Sequence, residues 1–235
     1  VGIAQDLGDS LDPYHMTAAG TREILFNIFE GLYKPTSTGD FAPALAEDYT
    51  VSDDGRTYTF KLRSGVKFHN GTSMDAADVV YSFNTCAADT VDSSLAAALS
   101  NVASVTAGDD GDTVVITLTE PDSDFLAYVA SVYIVPDDYD QQATAPVGTG
   151  PFRYVSRSVQ ENLVLERFDE YWGEKAHLDR VTLKIYEDTT ALMTAINGGA
   201  VDLVMHMTVS QTKNLSDQYN VLEGTMNLVQ ALYLN

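Results

Sequence analysis

A single cysteine in 235 residues excludes an internal disulfide and any site that needs two thiolates. Basic residues are scarce: 13 Lys and Arg stand against 34 Asp and Glu, for a net charge of -21. Such a surface repels phosphate backbones and anionic lipid, which argues against nucleic-acid and direct lipid binding. No stretch approaches the ~20 consecutive apolar residues that span a bilayer. No charged-then-apolar leader stands at Val1, so any export leader is expected outside these residues. Catalytic motifs are missing as well. Gly148-Thr149-Gly150 lacks the lysine and spacing of a phosphate loop, no G-x-S-x-G elbow occurs, and none of the four histidines pairs as H-E-x-x-H. The acidic run from Gly108 to Asp112 lacks the remaining ligands of a calcium loop and reads as a hairpin turn.

What is present is a core. Hydrophobic residues make up 45% of the chain, enough to exclude a disordered polymer and to fill one large domain or two modest ones. The acidity then has two readings: a solvated coat, or an adaptation to salt or to cationic ligands. Composition does not choose between them.

Strand and helix signals alternate along the chain. Residues 1–5 form a short apolar strand, and Pro13 keeps the following loop extended at Asp12. Ile24, Leu25, Ile28, Phe29 and Leu32 share one helical face, predicting a helix from about Thr17 or Ala18 that closes near Gly31. Asp54-Gly55 between two alternating runs predicts a hairpin. After the Asn70-Gly71 turn, Thr72 or Ser73 caps a helix with Asp75 in its first turn, running to Ala87 and burying Cys86. A helix over 93–100, a hairpin of 102–107 with 113–119, a helix over 122–130 and an apolar strand over 132–135 follow. Strands at 152–156, 163–167 and 181–186, a helix over 189–198, a strand at 202–204, and final strands at 219–223 and 228–234 complete the reading.

Ser52 to Phe83 reads SDDGRTYTFKLRSGVKFHNGTSMDAADVVYSF. It closely resembles the segment DG-x-T-(W/Y)-TF-x-LR-x-GV-KFH-(D/N)-G of the large solute-binding proteins of ABC importers, bacterial family 5. Leu11-Asp12-Pro13 and Glu30-Gly31-Leu32 match two more family segments, as do Gly148-Thr149-Gly150-Pro151-Phe152 and Tyr171-Trp172. Gly199 to Asp202 matches a fifth. Tyr49 stands where the family usually has tryptophan, and Asp169 where it has asparagine. The resemblance runs from about Leu11 to Asn235.

That resemblance implies an α/β clamshell of the periplasmic-binding-protein kind (type II, large cluster C). Residues 1–33 and 168–235 would form a discontinuous first lobe, 34–167 an inserted antiparallel subdomain, and a second lobe would lie outside these residues. It implies a binding protein and not an enzyme, with no cofactor and no metal. Such a protein captures an extracytoplasmic solute, most characteristically a peptide, and delivers it to ABC permease subunits by hinge closure. The location would be periplasmic, or a cell-surface lipoprotein in a Gram-positive host, as a monomer touching membrane only through a lipid anchor outside these residues.

Carried onto this chain, the family's cleft-lining segments are Gly8 and Asp9, Ser131, Val132 and Tyr133, and His206, Met207 and Thr208. The motif residues Gly148 and Thr149 read as structural markers. Met205-His206-Met207 is either a soft cluster able to hold a transition metal or haem, or side chains that close a core or hinge. Nickel, haem or oligosaccharide binding, and presentation of a closed form to a signalling receptor, are the alternatives of the same scaffold. A hydrolase on this scaffold finds no catalytic constellation.

Overall fold

From Thr57 to Leu62 side chains alternate, with Tyr58, Phe60 and Leu62 buried, the period of two that a half-buried strand requires. A computed structural model describing residues 1–8, 10–15, 19–88, 94–213, 215 and 219–222 places this strand at the centre of an antiparallel sheet. In chain order the elements begin with β1 (Gly2–Ile3), α1 (Ala19–Leu25), β2 (Tyr33–Pro35) and β3 (Phe41–Pro43). Then come β4 (Ala46–Val51), β5 (Thr57–Leu62), α2 (Ala76–Ala87), α3 (Ser94–Ala98), β6 (Val102–Ala107) and β7 (Thr113–Leu118). The chain continues through α4 (Phe125–Val129), β8 (Phe152–Ser158), β9 (Asn162–Arg167), β10 (Arg180–Ile185), α5 (Thr189–Asn197) and α6 (Val209–Thr212).

Among the described residues three sheets form. β4-β5-β7-β6 is antiparallel throughout, and β2 and β3 make a short ribbon. The third sheet, β1-β10-β9-β8, is mixed: β1 runs parallel to β10 and the other pairs are antiparallel. Residues 152–167 thus share a sheet with the chain's first strand.

α2 lies over β6 and β7 because Val79, Phe83 and Cys86 recur on one face and are buried there. Its cap is Asp75, not the expected Thr72 or Ser73. Asp75 Oδ1 accepts from Ala77 N at 2.7 Å and from Asp78 N at 3.4 Å, and Asp78 Oδ2 accepts in return from Asp75 N at 2.9 Å, a reciprocal capping box. Thr72 is instead bonded to Asn70 Oδ1. Burial pushes the Asp78 carboxyl up to about 6 despite the backbone donors from Asp75 and Asp137. Tyr49, in the place of tryptophan, meets Tyr33 edge-on at 5.4 Å and stacks on Phe60 at 5.6 Å.

Four expected elements differ. The helix over 17–31 stops at Leu25, although Ile28, Phe29 and Leu32 are buried as its pattern requires. The carbonyls of Asn27 and Ile28 accept instead from Phe152 N (3.1 Å) and Gly150 N (2.9 Å), which draws the backbone off the helical path. The expected strand at 132–135 is extended chain without a ladder. Ile134 N donates to Glu30 O, Val135 N to Ser82 Oγ and Asp137 N to Asp78 Oδ1, so its buried backbone is satisfied from a turn and a helix. The strand at 202–204 is reduced to one parallel bridge, Gly2 with Val204. Residues 219–222 carry no strand, and 223 and 228–234 lie outside the described residues.

The motifs scattered through the sequence meet at Glu30. Its Oε2 accepts from Thr149 Oγ1 at 3.0 Å and Trp172 Nε1 at 2.8 Å, and its Oε1 from the Tyr171 hydroxyl at 2.7 Å. Burial raises the Glu30 carboxyl above its ordinary value, against the pull of these donors. Burial, and then the Glu30 charge, push the Tyr171 phenol well up. Arg63 covers the Trp172 ring at 4.3 Å, a cation–π contact. The loop on the far side is gripped by His69. Its Nε2 lies 2.9 Å from Gly150 O, its Nδ1 accepts from Gly148 N, and its backbone N donates to Gly148 O. A carbonyl only accepts, so Nε2 carries the proton and the ring is neutral. Glycine is required at both flanks of Thr149. A Cβ on Gly148 would stand 2.2 Å from Ile28 O, and one on Gly150 2.5 Å from Asn27 O.

Two outcomes follow for stability. Glu30→Ala leaves three donors without an acceptor and is expected to lower urea stability by about 3 kcal/mol or more, with Glu30→Gln costing about half as much. An alanine variant within about 1 kcal/mol of the parent would deny Glu30 this role. Burial pushes His69 down to about 4 from 6.5, so the folded chain binds fewer protons than the unfolded chain between those values. Its contribution is complete above the unfolded pKa and is lost as pH falls toward the folded one. Between about pH 7.5 and about pH 4.5 the parent should lose about 2–3 kcal/mol relative to His69→Gln in parallel urea titrations; a constant gap would contradict the neutral ring.

Candidate functional site

β1 is short, but both of its edges are occupied. It pairs with β10 on one side, and on the other Gly2 N donates to Leu203 O at 2.8 Å. Gly2 permits this: a Cβ there would stand 2.4 Å from Leu192 Cδ1 of α5. α5 is seated by its cap, Asp188, whose Oδ1 accepts from Ala191 N at 2.7 Å. Because β1 and residues 203–204 run parallel, the loops 4–8 and 205–208 leave the sheet together, at the carboxyl edge where α/β sheets bind ligands. α1 stands over this edge. Between these elements is a cavity of about 410 Å³, within the size range of small-molecule sites.

The loop wall of the cavity is held from behind by Arg157. Its Nη1 donates to Gly8 O at 2.8 Å, and its Nη2 to Leu7 O at 3.0 Å and Asp6 Oδ1 at 3.1 Å. Its Nε is buried without a partner among the described residues. Gln160, at φ 61°, adds a backbone bond to Asp6 Oδ2 at 2.7 Å, and Gly8 N donates to Thr21 Oγ1 at 3.1 Å. On the opposite wall His206 has φ 58°, left-handed backbone that a residue with a Cβ adopts at some cost. Its Nε2 donates to Glu23 Oε2 at 2.5 Å, joining α1 to the segment after Val204.

The residues singled out in the sequence are distributed over two places. His206 and Met207 line the cavity with Ala4 to Leu7 of the first loop. Gly8 follows that loop, but both its backbone groups are engaged by Arg157 and Thr21. Asp9 lies outside the described residues. Thr208 caps α6 in a reciprocal box with Gln211. Ser131, Val132 and Tyr133 do not line the cavity. Val132 is fully buried, Ser131 Oγ donates to Ala127 O, and Tyr133 O accepts from the Tyr14 hydroxyl at 3.0 Å. Burial also raises the Tyr133 phenol. As for metal, no group of three His, Cys, Asp or Glu converges among the described residues, and His206 Nε2 is already used by Glu23.

Asp6, Glu23 and Arg157 were not evident from the sequence. Glu23 reads as an ordinary helix-surface acid. Arg157 is hidden by a bulge between Tyr154 and Ser156, which places Arg157 opposite Leu163 on the face that Tyr154 shares with Leu165. Simple alternation from Tyr154 would have sent it outward.

The family model of the bacterial extracellular solute-binding proteins, family 5, matches residues 40–235. The chain belongs to this family. Among family 5 relatives, it is 32% identical over 215 residues to the glutathione-binding protein GsiB of Pectobacterium atrosepticum, an alignment covering 88% of this chain and 41% of that protein. It is 31% identical over 209 residues to heme-binding protein A of Haemophilus influenzae, covering 76% and 38%. The structure of the ABC transporter-associated periplasmic binding protein DppA from Helicobacter pylori, in complex with peptide STSA, matches with a TM-score of 0.77 at 28% identity. That match covers 85% of this chain and 45% of DppA. The resemblance carried by residues 52–83 is borne out, and the fold is that of the type II periplasmic binding proteins. The chain spans less than half the length of these relatives. No helix among the described residues is long and apolar enough to cross a membrane.

The loop wall can be tested without a ligand. Arg157→Ala should raise hydrogen exchange at the Leu7 and Gly8 amides by about tenfold or more while β5 and β7 are unchanged. Uniform acceleration would mean that Arg157 supports the whole fold, and no change that it does not hold the loop.

Proposed function

We propose that the protein is the solute-binding component of an ABC importer, acting outside the cytoplasm on a peptide or a similar small solute. The observation that carries this reading is the cavity at the carboxyl edge of β1 in a family 5 chain. Two of the relatives named above support a peptide in particular, since one is called glutathione-binding and the other is complexed with the peptide STSA. Binding free energy would be used to close one lobe on another, and the closed form would be presented to the permease subunits. No covalent step is involved, and no cofactor is needed. In the same reading the protein is monomeric and touches membrane only through a lipid anchor.

The proposed first lobe comprises residues 1–33 and 168–235, with the inserted subdomain drawn from 34–167. The hairpin β8-β9 is best counted with the first lobe, because it pairs with β10 and Arg157 braces the cavity wall. The Ser131 to Tyr133 segment then serves as support behind Tyr14. The cleft wall is formed by the 4–8 loop and by His206 and Met207.

Isothermal titration of the 235-residue chain with short peptides, followed by mass spectrometry of the recovered peptide, tests the reading. Saturable binding at one site with the peptide intact is expected. Cleaved peptide would overturn the non-enzymatic assignment, and heat flow indistinguishable from buffer for every peptide would remove peptides as its solutes.

A further inference from the structure

The cavity has an uneven distribution of charge. Its ionisable lining residues are Asp6, Glu23 and His206, with no Lys or Arg among them. Asp6 is already committed, with one oxygen on Arg157 and the Leu7 amide and the other on the Gln160 amide. Glu23 is different. Its Oε2 is held by His206, while no hydrogen bond or ion pair reaches its Oε1 among the described residues. The rest of the wall is largely apolar, and it includes Met193, Met205 and Met207. Methionine is unbranched and polarisable, so these side chains adapt to aliphatic groups of different shape.

Resting on the solute-binding reading above, we infer that this cavity selects a solute bearing a positive charge, with Glu23 receiving an ammonium group and the methionine wall receiving the adjoining aliphatic body. The carboxylate is preorganised: His206 fixes one oxygen and leaves the other for the ligand. A charge-assisted bond from an ammonium to Oε1 needs no counter-charge to be displaced. An anionic solute would meet two carboxylates and no Lys or Arg on the cavity wall, in the field of a chain carrying -21. Discrimination by charge with tolerance of shape suits uptake of a class of compounds better than recognition of one.

Three probes of nearly one shape separate charge from hydrophobic contact: leucyl-leucinamide is a cation, N-acetyl-leucyl-leucinamide is neutral, and N-acetyl-leucyl-leucine is an anion. Titrated into the 235-residue chain, the cation should bind about tenfold more tightly than the neutral probe, and the anion least. Glu23→Gln should weaken the cation by about tenfold and leave the neutral probe unchanged. His206→Gln is the second variant. It loosens the orienting contact but leaves the Glu23 charge in place, so the cation should lose affinity by less than in Glu23→Gln. Equal binding of cation and neutral probe overturns the inference while leaving solute binding intact. So does an unchanged Glu23→Gln, or a His206→Gln that weakens the cation as much as Glu23→Gln does. If none of the three binds the parent chain, the inference falls together with the assignment of this cavity as a solute site.

Discussion

The structure depends on one largely buried carboxylate. Glu30 receives hydrogen bonds from Thr149, Tyr171 and Trp172, and so ties the stretch that follows α1 to two loops more than a hundred residues further on. A carboxylate can be kept away from water only when its oxygens are satisfied. Three donors achieve this, while burial still raises its pKa. His69 closes the arrangement from the hairpin side by bonding both glycines that flank Thr149. The glycines themselves are dictated by contact with the Asn27 and Ile28 carbonyls. Helix, hairpin and loops are thereby drawn into one joint.

This joint accounts for the family signature. Its residues occur in separate stretches because a long-range buried hydrogen-bond network requires a partner on each strand or loop it connects. None of the Glu30 and His69 groups lines the cavity. Recognition of the family from Ser52 to Phe83 is therefore recognition of a framework, and family members such as those named for glutathione and heme can share it. Under the function proposed above, ligand choice would fall to the 4–8 loop, α1 and the 205–208 segment, which the framework holds in place.

Arg157 and His206 show how that edge is shaped locally. Arg157 fastens the loop through backbone carbonyls, a contact that depends on where the chain passes and not on which side chains it carries. His206 reaches Glu23 across 183 residues from a backbone conformation that only surrounding contacts can maintain. The two non-glycine residues at positive φ among those described, Gln160 and His206, both bond an acidic residue of the cavity wall.

Much of the fold was legible in the residues alone. Alternation in 57–62 and 113–118, the Asp54-Gly55 turn and the helical face of Val79, Phe83 and Cys86 each follow from local geometry and burial, and each appears where its pattern places it. Local pattern failed where backbone groups found distant partners. The helix expected to reach Gly31 ends at Leu25 because residues 150 and 152 take its carbonyls, and 132–135 lacks a ladder because Glu30, Ser82 and Asp78 satisfy its neighbourhood. The candidate site divides in the same way. His206 and Met207, singled out in the sequence, line the cavity, whereas Glu23, Asp6 and Arg157 carried no motif and were brought to the same edge by a bulge, a parallel bridge and a left-handed turn. The family and the framework were thus determined by sequence, since short-range geometry and a dense signature encode them. The charge and shape of the cavity were decided by tertiary structure, because they arise from contacts between residues far apart in the chain.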